Sequence, residues 1–386
     1  ILGFAADPIN QDNLVRYLQN TNIFLNGWSK DYDAQSIHYG AGYLMMVYLY
    51  ERFGPDFIRV LTHLPDDGLA AIDRALQIAH LPERVNDVVL DWWIANYLND
   101  PSLEDGRYGY ETLAFSEQII PIALTSQQSI VYNGTLYPYG VEYLHIERGT
   151  YQLTFSASTT HELIPQSSPH SGSAVWWTNN ATASATTLTR AIDLRDVERA
   201  TLKYWLLGEA GDFGGYLHLL ASTNGTEWEV LRGAHMDVLS RFGNAPGPHY
   251  ISTDGIWMAD FVDLTPYVGA MVYVRFEYVT NNALADSGFF IDDFSIPELD
   301  WADDVESGVG DWEVQGFIRT NGQVEQQWAI ALLDPTANVP IQIIKAEGGY
   351  VQANIHVATN DAVLLVGSLA PFTAQPSTYH LELKPS

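Results

Sequence analysis

Residues 37–54 read IHYGAGYLMMVYLYERFG, and this run sets the character of the first part of the chain. Tyr43, Met46, Val47 and Tyr50 recur at i, i+3, i+4 and i+7, Leu44 and Leu49 widen the stripe, and Gly54 followed by Pro55 supplies a stop. The pattern predicts a well-buried helix of about four turns. Gly40 and Gly42 near its start each cost roughly 1 kcal/mol against alanine in a helix, which close packing by another element would explain.

Outward from this run, helix-period segments cover 10–20, 39–53, 55–63, 68–79 and 82–98. Near residue 110 the chain changes to short alternating runs rich in Val, Tyr, Trp and Thr, separated by Gly, Asn, Asp and Pro turns. Eight strand candidates, at 174–178, 187–193, 200–207, 216–222, 228–231, 258–263, 271–280 and 288–296, have the spacing of a jelly roll. The β-rich pieces 120–156 and 311–384 are each too short for an independent sandwich. The expected fold is therefore α+β and multidomain: a helical part at 1–110, a β-rich domain built from 111–156 and 301–386, and a jelly roll inserted at 157–300.

Composition narrows the function. At 386 residues, with 47% hydrophobic and 12% aromatic residues, the chain can build several cores and is not disordered. The formal charge of −29, spread along the chain, excludes nucleic acid as a partner and leaves a solvated acidic surface suited to hard cations. No cysteine occurs, so a thiol nucleophile and a disulfide framework are both ruled out. No run of about 18 apolar residues predicts a membrane span. Asn133-Gly134-Thr135, Asn180-Ala181-Thr182 and Asn224-Gly225-Thr226 match the glycosylation acceptor pattern and read first as turns, second as glycan sites.

The run HYGAGYLMMVYLYERFG, followed by DGLAAIDRAL, VVLDWWIANYLND and GRYGY, resembles the region after the zinc motif in secreted peptidases of the immune inhibitor A family. SAVWWTNN, TLTRAIDL, ATLKYWLLGEAGDFGGYLHLLASTNGTEW, DLTPYVGAMVYVRFEYVTN and GFFIDDFSIP are similar to the sandwich that follows the catalytic domain there, a module related to MAM and carbohydrate-binding sandwiches. The resemblance implies a zincin-like helical remnant, hydrolysis of protein substrates, and a secreted or cell-surface location. It also implies a zinc ion on a helix carrying His-Glu-x-x-His. None of the eleven histidines here stands four residues from another, and His161-Glu162 has Pro165 where the second ligand belongs. The chain opens ILGFAADPIN, without methionine, basic n-region or apolar h-region, as expected of a processed or incompletely observed product. Zinc is then expected only from upstream residues, with an upstream peptidase fragment as a possible partner.

Two sets of site residues follow. Tyr39-Gly40-Ala41-Gly42 matches the Tyr-x-x-Gly of gluzincin aminopeptidases, and that likeness implies that Tyr39 donates to the oxyanion, with His38 orienting substrate or capping the helix; the plain alternative is a tyrosine packed at a helix start. Asp292 and Asp293, at a strand end where related sandwiches bind a structural calcium, are expected to converge with Glu209 and Asp212; the alternative is an acidic strand end in water. Trp176 and Trp177 point to opposite faces of a strand, so at most one is free to stack on a sugar. Three functions remain open: a metallopeptidase lacking its zinc helix, a noncatalytic extracellular or surface protein binding partners through its β modules, and a carbohydrate-binding arrangement.

Overall fold

The computed structural model describes residues 8–27, 32–64, 66, 68–113, 118–124, 129–181, 184–210, 215–239, 245–280, 287–371 and 373–386. They form two compact units, an outer one from Ile1–His161 with Glu325–Ser386 and an inserted one from Glu162–Val324. Together they make an α+β chain of four helices and several sheets.

The helices belong to the outer unit: α1 (Pro8–Gln19), α2 (Tyr32–Leu61), α3 (Gly68–Ile78) and α4 (Val85–Leu98). Helix α2 begins before the expected start at Tyr39 and breaks at Gly54, whose φ of 83° and ψ of 175° are non-helical, immediately before Pro55. Gly40 lies inside the helix, where a Cβ would strike the carbonyl of Asn13 on α1; Gly42 meets no such neighbour.

The helices lie on a five-stranded sheet in the order Ile122–Ala123, Val141–His145, Val363–Leu369, Gln327–Leu333, Ile341–Ile344. Ala331, Val363 and Leu365 pack into the helical core with Trp92 and Trp93, while Ile330, Leu364 and Val366 face the second sheet. That second sheet runs Ile130–Leu136, Ser377–Pro385, Gly149–Ala157, Tyr350–Val357. Strands from both ends of the chain thus build one sandwich with a helical layer outside it. Asn133 stands within a strand here, not in the turn that its sequence pattern implied.

All eight strand candidates of the inserted unit are present: Val175–Trp177, Ala185–Asp193, Thr201–Glu209, Tyr216–Ser222, Glu229–Val230, Met258–Asp263, Met271–Val279 and Gly288–Ile296. Numbered one to eight, they form one sheet in the order six, three, eight, one and another in the order five, four, seven, two, which is the strand order of a jelly roll. The segment after residue 300, expected to join the outer β-rich part, adds strands to this unit. Trp301–Asp303 pairs with the eighth strand, Trp312–Gln315 with the second and Ile318–Thr320 with the first.

Candidate functional site

The face of α2 that carries His38, Gly42, Met45 and Met46 has helical spacing i, i+4, i+7 and i+8. It borders a cavity of about 380 Å³ whose far walls include Leu61, Leu69 and Ile72. Burial holds the His38 imidazole below its ordinary pKa, so it is neutral at physiological pH. Tyr39, one residue on and about 100° around the helix, turns away from this cavity and is 58% exposed. The structure therefore separates His38 and Tyr39 onto different faces.

Asp292 and Asp293 do come together. In a regular strand their side chains would point to opposite faces, but the pairing with the third strand shifts register between Asp292 and Ser295, and Asp293 adopts φ 49°. The bulge sends both carboxylates to the same partners. Asp292 Oδ2 accepts the backbone N–H groups of His170 (2.9 Å) and Ser171 (3.3 Å), and its Oδ1 accepts that of Asp293 (2.9 Å). Asp293 accepts the His170 Nδ1–H at 2.5 Å and the Ser171 hydroxyl at 2.6 Å. The His170 ring stacks on Trp205 with centroids 3.8 Å apart and meets Trp257 edge-on at 5.6 Å. Burial pushes the Asp292 carboxyl up to about 7, against the pull of its backbone N–H donors.

The carboxylates do not stand bare: both accept N–H and O–H donors, where calcium would need six to eight oxygens turned toward it. Glu209 pairs with Gly288, four residues from Asp292 along the strand and roughly 13 Å away by strand rise. Asp212 lies outside the described residues. Nor does the corner form a serine triad, because the Ser171 hydroxyl donates to Asp293 and not to the imidazole. Its chemistry is that of a fastening: two carboxylates tie residues 170–171 to the eighth strand.

That fastening explains the tryptophans. Leu163 and Ile164, upstream of the tied residues, pack on Val175, Trp177, Leu207 and Phe290 as a small core outside the sheet. Trp176 is 2% and Trp177 3% exposed, so neither offers a face to a sugar. His170, Ser171, Trp205 and Trp257 escape a sequence reading because His170 and Asp293 are 123 positions apart and no local spacing links them.

Residues 153–322 match the family model described as Immune inhibitor A-like, MAM domain. The chain carries an immune inhibitor A-like MAM domain, which bears out the resemblance seen in its strands. No curated protein matches the chain.

Proposed function

We propose that this chain is part of a secreted immune inhibitor A-like metallopeptidase acting on protein substrates, and that residues 1–386 alone are inactive. The observation that carries the proposal is the immune inhibitor A-like MAM domain interrupting a sandwich that has a helical layer ahead of it. The helical layer is then a remnant of the zincin-like peptidase domain. Secretion agrees with the family and with the fact that no helix among the described residues is long and apolar enough to cross a membrane.

The residues present do not fit a catalytic zinc. No three His, Asp or Glu side chains gather at metal-binding distance among the described residues, and no two histidines have helical ligand spacing. What the chain would contribute is a wall of the site. The exposed Tyr39 hydroxyl would donate to the oxyanion of a carbonyl under attack, while neutral His38, beside its own cavity on the other face of α2, would take no part in that contact. Calcium at Asp292 and Asp293 stays a proposal: Asp293 keeps further lone pairs beside the His170 and Ser171 donors, and a calcium-dependent rise in the melting temperature that is lost in Asp293→Ala is its test.

The test is cleavage of unfolded casein by protein whose start at Ile1 is verified by intact mass, with and without added zinc, beside the chain extended by its upstream coding sequence. The expected result is cleavage by the extended chain alone, with Tyr39→Phe lowering its kcat by roughly 10²–10³. Zinc-dependent cleavage by residues 1–386 would overturn the inactivity. An inert extended chain would overturn the peptidase reading and leave a noncatalytic extracellular binding protein.

A further inference from the structure

The second sheet of the outer unit turns one face into the sandwich and the other away from it. Alternation sends Leu153, Phe155, Leu381 and Leu383 inward and leaves hydroxyl, amide and imidazole side chains outward. Register sets Tyr350, Ser156, His380 and Asn133 in one row across all four strands. A cavity of about 420 Å³ borders the Asn133, His380 and Ser156 end of this row together with Thr135, Ser158 and Thr378, short of Tyr350, and its size is that of a small-ligand site.

The row has a defined hydrogen-bond polarity. Asn133 Oδ1 accepts from His380 Nδ1 at 2.8 Å, which leaves His380 Nε2 as an acceptor and the Asn133 amide as a donor. Ser156, Thr135 and Thr378 add hydroxyls that do both. A donor next to an acceptor, repeated over a short distance, is what neighbouring hydroxyls on a sugar ring pair with. Tyr350, 51% exposed, ends the row two strands from His380, roughly 10 Å at ordinary strand spacing. Its ring can stack on a second sugar unit.

Charge selects the ligand. The outward positions of the four strands carry one acid, Glu382, and one base, Lys384, which pair at 3.0 Å. The face is neutral on a chain of formal charge −29. An anionic ligand would meet the chain's negative potential without an unpaired cation on this face to offset it. A protein partner would need apolar anchors, and only Val131 and Tyr350 project here. We infer that this face binds a neutral oligosaccharide of at least two units, held by Asn133, His380 and Ser156 at one end and Tyr350 at the other.

Titration calorimetry on the full chain with cellohexaose, xylohexaose, mannohexaose and chitohexaose tests this, with polygalacturonic acid as the anionic control. At least one neutral hexaose should bind, and Asn133→Ala or His380→Ala should weaken it by about ten-fold, the loss of one or two hydrogen bonds. Tyr350→Ala should weaken it less and Tyr350→Phe hardly at all, because the ring stacks and its hydroxyl is not required. All four sites are on the solvent side of the sheet, so melting temperatures should not move. Failure of every neutral probe to bind at millimolar concentration, binding of the anionic control alone, or an affinity indifferent to Asn133→Ala and His380→Ala would each overturn the inference.

Discussion

Both sandwiches have a sheet whose outer face is covered by chain from earlier in the sequence, and they hold that cover by opposite means. In the outer unit the cover is helical and apolar: Trp92 and Trp93 are fully buried, Tyr97 stacks on Tyr143 at 5.3 Å, and the Tyr143 hydroxyl donates to the Trp93 carbonyl at 2.7 Å. In the inserted unit the cover is a segment of bends and turns tied by acids. Asp292 and Asp293 hold residues 170–171, and Glu306 accepts the Ser173 and Ala174 N–H groups, each at 2.7 Å. A helix satisfies its own backbone and can present a continuous apolar stripe. An irregular segment presents no continuous apolar stripe and leaves N–H groups that something must accept, and here carboxylates do so.

Removing the apolar anchor should have the largest effect. Trp93→Ala takes a fully buried indole from between α4 and the sheet and should cost about 3–5 kcal/mol in urea unfolding of the outer unit. A loss below about 1 kcal/mol would mean that the helices are not held by this burial. Asp292→Ala comes next. It strips three backbone N–H groups of their acceptor and should cost about 2–3 kcal/mol, read as faster amide exchange at 163–171 with little change in the helices. Equal acceleration in both units would break the contrast. Gly367 has no side chain because a Cβ there would enter the Trp93 ring, so Gly367→Ala should cost about 1–2 kcal/mol by overpacking. Its effect should largely vanish in the Trp93→Ala background, where the ring is gone.

How much of this the sequence displayed depends on the same contrast. The eight jelly-roll strands were legible because strands such as Met258–Asp263 bury alternate residues and end in turns. The helices were legible as 3.6-period stripes, with the break at Gly54-Pro55. Val363–Leu369 is buried throughout, since helices cover one of its faces and a sheet the other, so no alternation marks which side meets what. The strands after residue 300 were read into the wrong unit because alternation identifies a strand without naming its partner. At the candidate sites, Asp292 and Asp293 stood out as a pair, but the bulge that turns them together and the His170 that meets them are tertiary facts. His38 and Tyr39 were likewise visible as neighbours, and only the helix phase shows that they serve different faces.

The smallest expected effect is also the most specific to the acid-tied cover. Burial raises the folded-state pKa of Asp292 to about 7 from an ordinary value of 3.8, so between about pH 4 and pH 7 the folded unit keeps a proton that the unfolded chain has released. Stability from this group must therefore fall as pH rises through that window and level off above it. Global unfolding would mix in Asp91 on α4, which burial likewise raises, to about 6, against Arg107 and Arg52. Amide exchange confined to residues 163–171, corrected for the intrinsic pH dependence of exchange, separates the two. Protection there should weaken from pH 5 to pH 7.5 in the native chain, while Asp292→Asn, which cannot ionise, should show a flat profile. A slope that survives in Asp292→Asn would assign the titration to another group and leave the acid-tied cover as insensitive to pH as the apolar one.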